Sequence, residues 1–317
     1  MAGPDRRPAQ PARLRRRRGA RRGIALVLVL WVLTLLTVMA VGMTAAQRTE
    51  TALTENVIAD ARFRALAEAA IVYTVGTFLT PTQIVGGGLG SAQTPGGGVD
   101  TADWLPNGAP RTWVFDGNQL SIAVSNEQSR INLNQATAPV LSALLVALGV
   151  GEEESLAIAD AILDWRDPDD LKLLNGAEDP DYAAAGRALG AKDAPFVAVE
   201  ELQQVLGVSR AIYQRLAPEV TVDTEGDQVD QSFASAAVLA ALQGIALDAA
   251  QLQVQDRDAQ ASPGAGGRGG PLYRIQVREQ GSVGTVRAME ALVDTQHPAN
   301  PVRWRRFGLV AGLPPAG

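Results

Sequence analysis

The sequence predicts an α+β fold: a long N-terminal helix, a small antiparallel sheet, and a large all-α domain inserted into that sheet. Three observations carry this expectation. An uncharged run from Ile24 to Gln47 is followed by an amphipathic stretch without proline up to Leu79. Alternating apolar and polar runs, the mark of strands, occur near Leu120 to Val124 and again from Tyr273 onward. Between them lies a block of about 130 residues with helical periodicity, so strands flank helices, and the economical architecture is an insertion.

The first 23 residues hold nine arginines and one acid, Asp5, for a net charge of +8. The whole chain is −6, which leaves −14 on the remainder. A basic start on an acidic body is the pattern of an address segment. The uncharged run is 24 residues long, and about 20 cross a bilayer as helix. It is too long for the apolar core of a cleaved secretory signal, which runs to about 15 residues. Arg15 to Arg18, Arg21 and Arg22 precede it, and positive charge stays cytoplasmic, so the body after Arg48 is expected outside.

From Arg48 to Leu79 the one glycine is Gly76, and Leu53, Val57, Leu66, Ala70 and Tyr73 recur at roughly helical spacing. Thr80-Pro81 then stops the helix. Gly86 to Gly98 reads as a loop. Trp113 to Phe115, the turn Asp116-Gly117-Asn118 and Leu120 to Val124 form a hairpin pattern. From Arg130 the texture becomes helical. Asn132 or Asn134 can cap a helix through Val140, Leu141, Leu144, Leu145 and Leu148, ending at Gly149-Val150-Gly151. A second helix spans about Glu152 to Trp165, and Pro195 to Leu202 opens another. Gly207-Val208-Ser209 starts a last hairpin ending at Leu216-Ala217-Pro218. Ala136 to Leu144 matches Ala234 to Leu242, a faint internal repeat 98 residues apart. Ala259 to Gly270 is a second glycine-rich break, followed by strand patterns at Tyr273 to Val277, Val286 to Val293 and Val302 to Phe307.

The residue inventory narrows the chemistry. There is no cysteine, so disulfides, thiolate metal sites and cysteine nucleophiles are excluded. The only histidine, His297, sits beside Pro298 and reads as a surface loop residue. No nucleophile elbow or phosphate loop accompanies the paired carboxylates, so an enzyme is not expected. Between Asp164 and Asp181 stand seven acids, namely Asp164, Asp167, Asp169, Asp170, Glu178, Asp179 and Asp181, opposed by Arg166 and Lys172. So many carboxylates on one loop repel one another unless a cation or water screens them. Calcium accepts six to eight oxygens in flexible geometry, which a loop can supply. Asp167, Asp169 and Glu178 take the first, third and twelfth places of an EF-hand, but Leu171 and Lys172 break that pattern.

The junction Arg21-Arg22-Gly23-Ile24 resembles the type IV pilin signal, in which a prepilin peptidase cuts after the glycine and methylates the new N-terminus. Those site residues would be Gly23 and Ile24. The fifth mature residue would be Leu28, where most pilin-like proteins carry Glu and the K-type pseudopilins do not. Several further runs, in order, are similar to those of the type II secretion system minor pseudopilins of the general secretion pathway protein K family. They include Ser129 to Ala136, Ala161 to Asp170, Gly176 to Asp179, Ala191 to Phe196, Val199 to Leu202 and Leu216 to Val222. The resemblance covers roughly residues 19 to 245; Asp230 to Phe233 departs from the family's Asn-rich motif, and the C-terminal strands are only generically similar.

This resemblance implies a pilin-like N-terminal helix on a small β-sheet pilin domain. It divides the chain into a basic prepilin leader at 1–23, a transmembrane and spine helix at 24–79, and the first part of the β domain at 80–129. An inserted helical domain follows at 130–258, and strands at 271–317 complete the sheet. It implies a non-enzymatic subunit at the pseudopilus tip, helping to initiate and cap the filament in export of folded proteins across the outer membrane. Its partners would be the I- and J-type minor pseudopilins, the prepilin peptidase and the inner membrane, with the body in the periplasm. It also implies a calcium site in the helical domain, through Asp167, Asp170, Glu178 and Asp179.

An alternative stays open at this point. Asn132-Leu133-Asn134, Leu148 to Gly151 and Phe196 to Gly207 also resemble helix-hairpin-helix modules of membrane-anchored, competence-like DNA receptors. Against it, Glu152, Glu153 and Glu154 follow Gly151, and the only lysines are Lys172 and Lys192, so no nucleic acid is expected as a partner.

Overall fold

The computed structural model describes residues 22–79, 105–260, 269–280 and 285–311. The leader up to Arg21, the glycine-rich run at 86–98 and most of the second such break lie outside the described residues. The chain divides into two units, Met1–Asp60 and Ala61–Gly317.

Helix α1 (Arg22–Leu79) contributes to both units. In the first unit, Ala25–Thr44 is long and apolar enough to cross a membrane, with a mean hydropathy of 2.6. Its threonine hydroxyls return to carbonyls one turn back: Thr37 Oγ1 donates to Leu33 O at 2.7 Å and Thr44 Oγ1 to Ala40 O at 2.7 Å. The run therefore presents few unmet polar groups to an apolar surrounding. Leu53 and Val57, expected on one stripe with Leu66 and Ala70, are exposed. Only the later part of that stripe is buried within the chain.

In the second unit, Phe63, Leu66, Ala67, Ala70 and Ile71 of α1 recur three and four apart and bury one helix face. They pack on a five-stranded antiparallel sheet. Its members are β1 (Asn107–Phe115), β2 (Asn118–Asn126), β5 (Leu272–Gln280), β6 (Thr285–Asp294) and β7 (Val302–Ala311), in the order β1-β2-β5-β6-β7. Leu120, Ile122 and Val124 alternate toward α1, as do Tyr273, Ile275 and Val277. Asp116 and Gly117 both take positive φ, 48° and 72°, which the right-handed strand twist favours in a two-residue hairpin turn.

Strands β2 and β5 are adjacent, with Asn126 opposite Tyr273, although the helical block separates them in sequence. That block contains β3 (Ile131–Asn132) and β4 (Val220–Thr221), paired in parallel, with α2 (Ala138–Ala147), α3 (Glu152–Arg166), α4 (Asp179–Ala184) and α5 (Arg210–Leu216) between them. After β4 come α6 (Ala236–Gln243) and α7 (Leu247–Gln260). A second apolar core, separate from the one under α1, includes Leu141, Leu144, Leu145, Ile158, Ile162, Leu202, Leu216 and Leu239. The fold is thus α+β with a helical domain inserted between neighbouring strands.

Three local expectations are corrected. Helix α2 starts at Ala138 behind the N-cap Thr137, with Pro139 in its first turn, and neither Asn132 nor Asn134 caps it. Asn132 Oδ1 instead accepts from Asn134 N at 2.8 Å, and its Nδ2 donates to Thr224 O at 2.6 Å. Asn134 engages Phe196 twice, accepting from Phe196 N at 2.8 Å and donating to Phe196 O at 2.9 Å. That clamp uses the backbone groups of Phe196, so 195–202 yields only a 3-10 turn, Val199–Gln203. After Gly207 the chain forms the single helix α5, whose N-cap Ser209 accepts from Ile212 N at 3.3 Å.

The internal repeat has a structural counterpart. α2 and α6 begin at positions 98 apart, behind Thr137 and Ser235, and both helices line the second core.

Candidate metal centre

Three stretches of the inserted domain bring the acids together: the end of α3, the loop into α4, and the segment around Asp193. Asp164, on the last turn of α3, is fully buried. Its Oδ2 accepts from Ala177 N at 2.8 Å, and its carboxylate also meets Leu173 N at 3.3 Å. Asp164 is therefore spent on fastening the loop. Gly176 permits this, because a Cβ there would stand 1.9 Å from Asp164 Oδ2. Asp181 Oδ2 accepts from Glu178 N at 3.0 Å, fixing the start of α4. Beneath the loop, Trp165 packs on Tyr182 and Phe196, with ring centroids 5.9 and 6.3 Å apart.

Against this support stand three buried carboxylate oxygens without a hydrogen-bond partner among the described residues: Asp167 Oδ1, Glu178 Oε1 and Asp193 Oδ1. The two nearby cations are engaged elsewhere. Lys172 Nζ pairs with Asp181 at 2.7 Å, and Arg166 donates to the carbonyls of Leu133 and Ala136. Burial, then the fields of Asp164, Asp167, Asp193 and Asp170, raise the Glu178 carboxyl to about 7. Burial and Asp169 raise Asp167, and burial with Asp179 and Asp170 raises Asp193. Such mutual elevation marks an excess of negative charge in one place.

The structure thus joins Asp167 and Glu178, with Asp170 close enough to act on Glu178 and Asp193. Asp179 is held at the edge, where its Oδ1 accepts from Ala191 N at 3.1 Å. A Cβ on Gly190 would lie 1.6 Å from that oxygen. Asp193, absent from the set expected from sequence, belongs to the cluster and sits at a positive φ of 53°. Its only sequence signal was the run Ala191 to Phe196. Among the described residues no three His, Cys, Asp or Glu side chains stand together in a group that could hold a metal ion. The donor chemistry fits a hard, oxygen-seeking cation all the same: it consists of carboxylates, with buried unpartnered oxygens and no nearby histidine or cysteine.

The other sequence candidates fall outside this centre. Arg215 Nη1 donates to Leu148 O and lies against the Gly149 turn, and α3 then opens on Glu152, Glu153 and Glu154. The carbonyl of Leu148 at the Gly-x-Gly turn is thus taken by the chain's own arginine, and three glutamates follow the turn. His297 is exposed and its Nδ1 lies 2.9 Å from Asp294 Oδ2, which Arg303 Nη2 also meets at 2.6 Å. Gly23 and Ile24 lie in the first turn of α1.

A family model described as type II secretion system protein K matches residues 115–225, which include the acidic loop. Relatives described as type II secretion system protein K share 29% identity over 215 residues in Klebsiella pneumoniae, 32% over 137 in Pseudomonas aeruginosa, and 35% over 109 in Aeromonas hydrophila. These matches cover 63%, 40% and 33% of this chain and 62%, 41% and 33% of those proteins, so the chain spans less than two thirds of each relative's length. A crystal structure of the GspK-GspI-GspJ complex from enterotoxigenic Escherichia coli matches at a TM-score of 0.45 and 21% identity, over 63% of this chain and 83% of that one. Residues 115–225 of this chain thus match the model of type II secretion system protein K, and parts of the chain are similar to proteins of that description.

Proposed function

We propose that the protein is a minor pseudopilin at the tip of the type II secretion pseudopilus, a structural subunit that helps to initiate and cap the filament during export of folded proteins. The observation that carries this reading is the protein K domain at residues 115–225, set in a chain whose α1 begins with a membrane-length apolar stretch. In this reading α1 anchors a single-pass protein in the inner membrane, and the acidic body lies in the periplasm. A prepilin peptidase cuts between Gly23 and Ile24, and Ile24 becomes the methylated N-terminus. Leu28 then leaves no charge near the start of the mature helix. A carboxylate in lipid is costly unless a neighbour pairs it, and the first subunit of a filament has no earlier neighbour. The inserted domain adds bulk that hinders another subunit from stacking above. I- and J-type minor pseudopilins are the partners this reading expects.

The same reading places calcium on Asp167, Glu178 and Asp193, with Asp170 and Asp179 beside them. Bound there, the ion would neutralise the clustered carboxylates and tie the end of α3, the loop before α4 and the 190–193 segment to one another. Calcium then acts as a structural clasp.

N-terminal sequencing of the mature protein, together with copurification of its membrane partners, tests the assignment. The expected result is a methylated Ile24 and recovery of pilin-like partners. A mature N-terminus near Ala46 would overturn the pilin reading.

A further inference from the structure

Asn107 is followed by Gly108 at the start of β1, an edge strand of the sheet. The ladder pairs Asn107 with Ser125 and then Pro110 with Ala123, so two residues of β1 stand against one of β2. Gly108 and Ala109 form this bulge, and Gly108 takes a φ of 80°, which glycine adopts at no steric cost. Gly108 is exposed, and both Asn107 and Gly108 line a cavity of about 280 Å3, so water reaches them.

At the bulge the Asn107 side chain folds back over the peptide that follows it. Its Oδ1 accepts from Ala109 N at 3.1 Å, and its Nδ2 donates to Asp258 Oδ2 of α7 at 3.0 Å. The first contact closes a ring across the Asn107–Gly108 peptide and holds the side-chain carbonyl beside Gly108 N. It also polarises that carbonyl, because an N–H already faces the oxygen on which charge would develop. The second contact ties β1 to the last helix of the insert. There Asp258 is also paired with Arg257 Nε at 2.9 Å, and Arg257 Nη1 donates to Ala234 O at 2.8 Å.

A second Asn-Gly pair, Asn175-Gly176, is built differently. Gly176 is buried and its N donates to Leu173 O at 3.1 Å. Asn175 N and Nδ2 both donate to Asp160 Oδ2, at 3.1 and 3.0 Å. There the backbone nitrogen that would have to attack is engaged inside a fastened loop.

We propose that Asn107 is a site of spontaneous deamidation, and that the change releases α7 from β1. Gly108 N gives its proton to a solvent base and attacks Asn107 Cγ. A C–N bond forms, the Cγ–Nδ2 bond breaks, and Nδ2 leaves as ammonia with a proton from solvent. Water then opens the cyclic imide. Attack at the side-chain carbonyl gives aspartate, and attack at the backbone carbonyl gives isoaspartate. One water is consumed, one ammonia is released, and nothing is oxidised or reduced. Either product sets a carboxylate where the amide donated, facing Asp258. Two like charges at that distance repel, so the tie between β1 and α7 becomes a repulsion. Isoaspartate also lengthens the backbone by one carbon at the residue paired with Ser125. This inference uses neither the acidic loop nor the secretion reading.

The test incubates the detergent-solubilised full chain in mildly alkaline buffer made with heavy-oxygen water. Mass spectrometry follows the peptides that contain residues 107 and 175. Asn107 is expected to convert at least tenfold faster than Asn175, to take up the heavy oxygen, and to give both aspartate and isoaspartate. Hydrogen exchange reads the consequence. Asn107→Asp is expected to speed amide exchange in α7 at least tenfold. Adding Asp258→Asn is expected to restore it, because an amide and a carboxylate then face each other again. Asn107→Ala removes the bond without adding charge and is expected to fall between the two. Conversion of Asn107 no faster than that of Asn175 would overturn the modification site. Exchange in α7 unchanged by Asn107→Asp, or not restored by Asp258→Asn, would overturn its consequence.

Discussion

Glu127 is the point at which the inserted domain is tied to the sheet, and replacing it with glutamine tests how strongly. The residue follows β2, is fully buried, and accepts from Arg274 Nε at 2.8 Å, from Arg274 Nη2, and from Thr221 Oγ1 of β4 at 2.5 Å. Arg130 stands 3.6 Å away, and Arg274 is itself buried, with more distant help from Asp223 at 3.4 Å and Glu290 at 3.7 Å. Glu127→Gln keeps the shape but leaves two buried guanidinium groups short of charge. Breaking a buried pair by removing one partner costs about 3–5 kcal/mol. Denaturant unfolding followed by tryptophan fluorescence should therefore show Glu127→Gln less stable by that order. In a double-mutant cycle, Arg274→Met should add much less on top of Glu127→Gln than it costs alone. The pH dependence gives an independent check. Burial pushes the Glu127 carboxyl up, but Arg130 and Arg274 outweigh it and hold its pKa below the usual value. The stability this supplies is present above the unfolded glutamate pKa of about 4.3 and is lost as pH falls through the lower folded value. Glu127→Gln should flatten that acid limb. A loss under about 1 kcal/mol at neutral pH, with additive double mutants, would refute the argument.

Four further outcomes are expected. Calcium should raise the melting temperature of the wild type, and Glu178→Gln should abolish that rise while stabilising the calcium-free protein, since one repelling carboxylate is gone; an unchanged melting curve in millimolar calcium would remove the site. Gly176→Ala should destabilise by about 1–3 kcal/mol in unfolding experiments, because its Cβ would meet Asp164 Oδ2 at 1.9 Å and displace the buried loop anchor. Asn134→Ala should cost about 1–3 kcal/mol in the same assay by leaving Phe196 N and O without their partner. Gly23→Phe should leave the precursor uncut, read by the mass of the protein recovered from membranes.

The strands and longer helices were legible because their signals are local. Leu120 to Val124 alternates, Asp116-Gly117 supplies a tight turn, and Glu152 to Arg166 shows an acidic start and apolar periodicity. The errors arose where a side chain reaches across the fold. Asn134 looks like a helix cap, and only the approach of Phe196, 62 residues later, turns it into a clamp. Asp193 behaves the same way. As a lone aspartate beside Lys192 it carries little signal, yet folding sets it beside Glu178 and Asp167. Asp164, by contrast, is rich in sequence signal as part of the acidic run, but its oxygens are used on backbone amides. Carboxylate count could locate the loop; it could not separate ligands from anchors.

The pairing of β2 with β5 has a consequence for how the chain folds and how it could be cut. Asn126 and Tyr273 face each other in register, with about 145 residues looped out between them. Closing so long a loop in an unfolded chain costs about 4 kcal/mol more than closing a two-residue turn, at roughly 0.6 kcal/mol per doubling of length. A folded insert removes part of that cost, since β3 and β4 already bring residue 131 beside residue 220, with Ile131 opposite Val220, and leave only the stretch through α6 and α7 to span. The sheet's central seam is therefore expected to close after the helices have packed. The two ends of the insert also leave the sheet one strand spacing apart, so a short turn could replace the whole insert and leave the five strands connected in the same order.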